Sequence, residues 1–225
     1  MAFLTVVFDL DGTLIDTAPD LIETLNVILR NERLPAVPYE EARLMIGGGA
    51  RKMLELGLKA DGRPTSGPDM ERMFKDFLAY YAEHVADHSQ PFPGLEGALD
   101  ALAAKGCKFA VCTNKLERLT MLLLNALNMT SRFEFICGQD TFSTMKPDPE
   151  VLRRTIQKSG GDVSRAVMVG DSATDINTAK AAQVPVVAVD FGYTEIPVNK
   201  LGPDRIISHF NALPDAVSEL VAGRF

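Results

Sequence analysis

The sequence predicts an α/β protein, a doubly wound core on a parallel sheet with an inserted all-helical segment. Three observations carry that prediction. Short runs rich in β-branched and aromatic residues recur with almost no polar alternation, as strands covered on both faces require. Between the later runs lie stretches with apolar residues at helical spacing, and strand–helix repetition of this kind builds parallel sheets. Residues 18–90 break the rhythm, with helical stripes and no convincing strand.

The first strand is expected at Leu4 to Phe8. Three similar runs come much later, at Lys108 to Cys112, Val167 to Val169 and Val184 to Val189, with weaker ones at Phe133 to Cys137 and Arg205 to Ile207. Leu95, Ala98, Leu99 and Leu102 share a helical face, as do Leu116, Leu119, Leu123 and Leu127. Val151, Leu152, Thr155 and Ile156 predict another helix, with Pro149 in its first turn, where proline is tolerated. Ile176, Ala179, Lys180 and Gln183 continue the series. In the inserted segment, Leu21, Ile22, Leu25, Ile28 and Leu29 form one stripe, and Met70, Met73, Phe74, Phe77, Leu78, Tyr81 and Val85 form another. Gly47 to Gly49 and the stretch Asp61 to Pro68 signal loops. Pro91-Phe92-Pro93-Gly94 marks a stiff re-entry. The expected division is therefore a core of residues 1–17 and 91–225 and an insert of 18–90.

Composition narrows the function classes. The 225 residues are 46% hydrophobic and 24% charged, close to the globular average. No apolar run approaches the ~18–20 residues that a membrane span needs. Met1 to Thr5 has no basic stretch ahead of its apolar residues, so it reads as the approach to a strand and not as a secretion signal. A net charge of −7 argues against nucleic-acid binding, which draws its affinity from cations on phosphates. It leaves room for a small anionic substrate, because a metal ion reverses the potential locally. Cys107, Cys112 and Cys137 are an odd number in or beside apolar segments. Buried free thiols are expected, and with them a reducing, cytoplasmic setting. Monomer and homodimer both remain open.

Four short segments carry candidate chemistry. In Asp9-Leu10-Asp11-Gly12-Thr13, side chains two apart on an extended chain point the same way. Asp9 and Asp11 then face one point at the carboxyl end of the first strand, where open α/β sheets bind ligands. Asp-Gly is also a hairpin signal, but a helical stripe follows it and not a second alternating strand. Thr113-Asn114-Lys115 follows the second core strand. A hydroxyl and backbone N–H groups there suit phosphate oxygens, although Thr and Asn are equally good helix caps. Lys146, in Lys146-Pro147-Asp148-Pro149, offers a compact cation for a phosphoryl oxygen or a carboxylate; taken singly it reads as a solvated lysine. Asp171 and Asp175, in Gly170-Asp171-Ser172-Ala173-Thr174-Asp175, add hard oxygen ligands suited to Mg²⁺, or else a turn residue and a helix-dipole acid. Together they supply a nucleophile, an acid/base, phosphate donors, a cation and metal ligands in an order that fits one sheet edge.

With these segments in that order, the chain resembles the haloacid dehalogenase superfamily. The resemblance spans nearly its whole length: Asp-x-Asp-Gly-Thr opening, Thr after the second core strand, third-motif Lys, and Gly-Asp-x-x-x-Asp. It implies a Rossmann-like core with the helical insert as a cap. It further implies Asp9 as nucleophile, Asp11 as acid and base, and Thr113, Asn114 and Lys146 as phosphate holders. Mg²⁺ would be bound by Asp9, Asp11 through its carbonyl, and Asp171, with Asp175 as a further or outer ligand. Thr13 would orient Asp9 or join that shell.

An acid at Asp11 distinguishes the chain from relatives that cleave carbon–halogen bonds or phosphonates, since those lack it. Phosphosugar mutases keep both aspartates and remain the mechanistic alternative. Other small-molecule phosphatases, acting on sugar phosphates, nucleotides or pyrophosphate, are alternatives too, as is a non-catalytic binding protein on the fold. The chain looks most like the phosphoglycolate phosphatases, through Thr113-Asn114-Lys115, Lys146 to Pro149, and Ile46-Gly47-Gly48-Gly49-Ala50-Arg51. Gly48, Gly49, Arg51 and Lys115 are the expected readers of a small phosphorylated metabolite. The competing view makes the glycines a hinge and Arg51 a solvated cation.

Overall fold

Six of the apolar runs become strands of one sheet in the computed structural model, which describes residues 3–222. Met1 and Ala2, the start of the expected approach to the first strand, lie outside the described residues. The strands are β1 (Thr5–Phe8), β4 (Lys108–Cys112), β5 (Phe135–Cys137), β6 (Ala166–Gly170), β7 (Val186–Val189) and β8 (Arg205–Ile207). Two-residue strands, β2 (Ile15–Asp16) and β3 (Gln90–Pro91), sit where the chain leaves and re-enters this part of the molecule. The sheet order is β5-β4-β1-β6-β7-β8, and every pairing is parallel. The α/β class read from the sequence is the one observed.

The lack of polar alternation has a direct cause. β1 is central, and Thr5, Val6, Val7 and Phe8 are all fully buried. Val7, Ala110, Met168, Val186 and Ala188 share a core with Val151, Leu152 and Ile156 of α7 (Pro149–Lys158) and Ile176 and Ala179 of α8 (Ala173–Ala182). Phe8 and Phe109 meet edge-on, their ring centroids 6.0 Å apart. Further helices α5 (Leu95–Ala104), α6 (Glu117–Ala126) and α9 (Leu213–Val221) surround the sheet, with α5 against α9 and α9 against β7 and β8. The α5 and α7 stripes are buried as expected. Two stripes differ. In α6, Leu124 is buried, while Leu116 and Leu127 are half-buried residues flanking the helix. In α8, Lys180 and Gln183 are exposed, and the inward face uses Asp175, Ile176, Thr178, Ala179 and Ala182. A polar inward face at the start of α8 reflects the site, not the core.

The chain divides into two compact units, residues 1–16 with 91–225, and residues 17–90. The second contains α1 (Ala18–Asn31), α2 (Tyr39–Arg43), α3 (Gly49–Ala60) and α4 (Pro68–Glu83), and no strand apart from the first residue of β3. Leu21, Ile22, Leu25, Ile28 and Leu29 of α1 are buried, as are Met70, Met73, Phe77 and Tyr81 of α4. Asp20, itself buried, closes this unit on itself: its carboxylate accepts from the N–H groups of His88 and Ser89 and from the Ser89 hydroxyl. Cys107, Cys112 and Cys137 are free and buried. No helix among the described residues is long and apolar enough to cross a membrane.

Candidate active site

Parallel pairing brings the carboxyl ends of β1, β4 and β6 to one edge, and each is followed directly by a polar residue singled out above. Asp9 follows β1, Thr113 follows β4 and Asp171 follows β6. The Asp9 N–H donates to the Val169 carbonyl at 2.9 Å, which carries the ladder one step past β1 and fixes the Asp9 backbone. The chain then turns sharply. Gly12 has φ +78°, and the Gly12 N–H donates to the Ile15 carbonyl at 3.0 Å. The turn that Asp-Gly signals is real, but it bridges Asp11 to Ile15 and does not lead into a hairpin of the main sheet.

Lys146 lies in the connection after β5, 2% exposed, with its ammonium between two acids. Nζ is 2.8 Å from Asp9 Oδ1 and 2.5 Å from Asp175 Oδ1. Burial opposes the charge on Lys146, but Asp175 and Asp9 outweigh it and hold the ammonium well above its usual range. Asn114 positions this lysine from behind. Its side-chain amide donates to the Lys146 carbonyl at 3.0 Å and accepts from the Lys146 N–H at 3.1 Å.

Asp171 is enclosed on several sides. Thr13 donates to Oδ1 at 3.1 Å, and the Tyr193 N–H donates to Oδ2 at 2.7 Å. A methyl group added at Gly12 would sit 2.6 Å from Asp171 Oδ2, and one at Gly192 would sit 2.3 Å from its side chain. Only glycine allows the flanking backbones to approach so closely. Asp175 belongs to a capping box: Ser172 donates its N–H and hydroxyl to Oδ2, and its own hydroxyl accepts from the Asp175 N–H.

Asp9, Asp171 and Asp175 bring one oxygen each within 4.8 Å of one another. Burial, then Asp175, pushes Asp9 up to about 6, with Lys146 opposing. Burial, then Asp175 and Asp9, pushes Asp171 up to about 8, against the donors from Tyr193 and Thr13. Buried carboxylates that repel one another are a donor set that a small hard dication fits.

Lys115, expected as a substrate reader, is buried and turned toward Asp11, with Nζ 2.9 Å from Oδ1 and 3.2 Å from Oδ2. The Thr113 hydroxyl accepts from the Lys115 N–H at 3.2 Å. Gly48, Gly49 and Arg51 belong to the helical unit. Gly48 caps α3 and Gly49, with φ +81°, opens it. Arg51 forms a two-pronged pair with Glu71 of α4, at 2.7 and 2.9 Å, and its guanidinium lies 4.3 Å from the Phe74 ring centroid. That geometry ties α3 to α4.

Sequence reasoning did not find Tyr193. Besides its N–H on Asp171, its hydroxyl donates to Asp16. The available signal was position: Asp190-Phe191-Gly192-Tyr193 follows β7 at the same sheet edge.

Comparison with known proteins identifies the family. A family model described as haloacid dehalogenase-like hydrolase matches residues 6–189. The chain is 47% identical over 214 residues to a phosphoglycolate phosphatase of Mesorhizobium japonicum, covering 95% of this chain and 94% of that protein. It is 46% identical over 217 residues to one of Caulobacter vibrioides, covering 96% and 92%. Among solved structures, one described as a predicted phosphoglycolate phosphatase from Haemophilus somnus superposes with a TM-score of 0.88 at 28% identity, over 95% of this chain and 97% of that one.

Proposed function

The chain belongs to the haloacid dehalogenase-like hydrolase family and is a phosphatase, and we propose that it hydrolyses 2-phosphoglycolate through a phosphoryl group carried on Asp9. The observation that supports this most is the Asp9 carboxylate beside the buried Lys146 ammonium, at a sheet edge that also carries Asp11, Thr113 and Asp171. Its relatives named phosphoglycolate phosphatase motivate the substrate.

On this reading an Asp9 carboxylate oxygen attacks phosphorus and the bond to the ester oxygen breaks. The leaving alkoxide takes a proton from Asp11. Asp11, now a carboxylate, takes a proton from water as that water attacks the aspartyl phosphate, releasing phosphate and restoring Asp9. One hard displacement becomes two easier ones, served by a single acid that becomes the base. Lys146 and the Thr113 hydroxyl hold the phosphoryl oxygens, with the Asn114 N–H beside them. Phosphoryl transfer needs little from a protein beyond such positioning and charge. Asp9, the Asp11 carbonyl and Asp171 would hold Mg²⁺, which supplies positive charge against the phosphate; Asp175, with an oxygen within 4.8 Å of those of Asp9 and Asp171 and its contact to Lys146, would be a further or outer ligand. The helical unit serves as the cap.

Asp9→Asn should abolish both turnover and the acid-stable phosphoenzyme. A panel of phosphoglycolate, sugar phosphates, nucleotides and pyrophosphate, with Mg²⁺ present, tests the substrate. Phosphoglycolate should give the highest kcat/KM, and a different leader would overturn that part. Transfer to a sugar hydroxyl in place of water would mark a mutase.

A further inference from the structure

Lys115 sits one contact away from the acid/base, and two observations set it apart. Its side chain is 5% exposed, an unusual place for an ammonium. It approaches both oxygens of Asp11, at 2.9 and 3.2 Å. An acid that protonates a leaving oxygen must lie about 2.7 Å from it. The ester oxygen of a bound substrate then lies within about 6 Å of Lys115 Nζ, a gap that one methylene and one carboxylate group span. The other expected reader, Arg51, already directs its fork at Glu71 and stacks on Phe74.

Resting on the phosphatase reading above, we propose that Lys115 is the specificity-determining cation, which pairs with an anionic group one carbon from the ester oxygen and so selects short phosphorylated carboxylic acids. In the protonated form that the acid step needs, Asp11 offers Lys115 no negative charge, so a substrate carboxylate supplies it and an uncharged analogue does not. The same ammonium binds Asp11 and the incoming carboxylate, so correct substrates are held where Asp11 can reach the ester oxygen. The selecting contact then lies in the α/β unit, and Asp11 is placed by the residue that reads the substrate.

The test compares phosphoglycolate with its amide, phosphoglycolamide, a neutral analogue of nearly the same size, and with ethyl phosphate. Wild-type enzyme should prefer the carboxylate over the amide by about 30-fold or more in kcat/KM, the scale of one charge-assisted hydrogen bond. Lys115→Met should collapse that preference to within about threefold, with a common loss of kcat on all three esters as Asp11 loses its partner and a further rise in KM for phosphoglycolate alone, and Lys115→Arg should restore part of the preference. Equal losses on all three substrates in Lys115→Met would overturn the proposal and leave Lys115 only a positioning residue for Asp11. If Lys115→Met does not fold, the wild-type comparison decides: no preference for carboxylate over amide is equally fatal. Failure of the underlying reading looks different, since wild-type enzyme would then turn over none of the three esters.

Discussion

At the scale of single residues, the site stores electrostatic cost that a metal relieves. Asp171 and Asp9 are raised to about 8 and about 6, burial being the largest cause in each. Both folded values exceed the ordinary carboxyl value of 3.8. A carboxyl of this kind binds its proton more tightly in the folded state. Its contribution to stability is complete below about pH 4 and is lost as pH rises through the folded pKa. The metal-free protein should therefore lose stability from about pH 4 to pH 8 through these two groups, and the gain in Tm on adding MgCl₂ should grow over the same interval. Asp171→Asn isolates the effect. The amide can keep its oxygen toward the Tyr193 N–H and turn its NH₂ toward the Thr13 hydroxyl, which can accept. Thermal melts at pH 8 should show this variant more stable than wild type without metal, unresponsive to Mg²⁺, and inactive. A metal-free Tm below that of wild type would contradict the repulsion argument.

At the scale of elements, the site depends on connections between strands more than on the strands themselves. Thr113 and Asp9 hold their places through the ladder that continues past β4 and β1, with Thr113 N–H on the Cys137 carbonyl and Asp9 N–H on that of Val169. Lys146 has no such support, because it lies in a loop after β5. The two hydrogen bonds between the Asn114 side chain and the Lys146 backbone, one donated and one accepted, tie that loop to the end of β4. Asn114→Ala would leave a donor and an acceptor of the Lys146 backbone unpaired, at about 1–3 kcal/mol for a buried group. Displacing the cation should lower kcat by about 10- to 100-fold, with KM much less affected. Steady-state kinetics beside a urea melt separates the two effects, and a variant that loses stability but keeps kcat would show that Lys146 is placed by its acids without help. This dependence explains what could be read in advance. Asp9, Thr113 and Asp171 were legible because each directly follows a continuous apolar run, and Asp11 because it stands two residues beyond Asp9 in Asp-x-Asp-Gly-Thr, both local patterns. The Arg51–Glu71 pair joins two helices 20 residues apart in sequence, and the Tyr193–Asp16 bond spans 177. Neither leaves a periodic trace, and Tyr193 meets Asp171 through a backbone N–H that any residue possesses. The polar inward face of α8 defeated the apolar-stripe rule for a related reason: Asp175 is buried to serve Lys146 and the Ser172 cap.

For the molecule as a whole, the division into two compact units makes a sharp prediction about linkage. All the candidate metal ligands lie in the unit of residues 1–16 and 91–225, whereas residues 17–90 close on themselves through the Asp20 clamp and the buried faces of α1, α3 and α4. A ligand slows hydrogen exchange only for openings that destroy its site, because it is bound to the closed form and not to the open one. Openings of the helical unit that leave Asp9 and Asp171 in place release no metal, so their rates should not change. At Mg²⁺ near 100 times its Kd the stabilisation is about 2.7 kcal/mol, or roughly 100-fold slower exchange for amides of β1, β6 and the start of α8. Amides of α1, α3 and α4 should move by less than about threefold in the same experiment. Uniform slowing across both sets would mean that the helical unit opens only when the α/β unit unfolds, and the division into two units would then count for nothing in the dynamics. Slowing confined to the α/β unit would show that the metal-binding edge is stabilised while the helical unit keeps its own freedom to open.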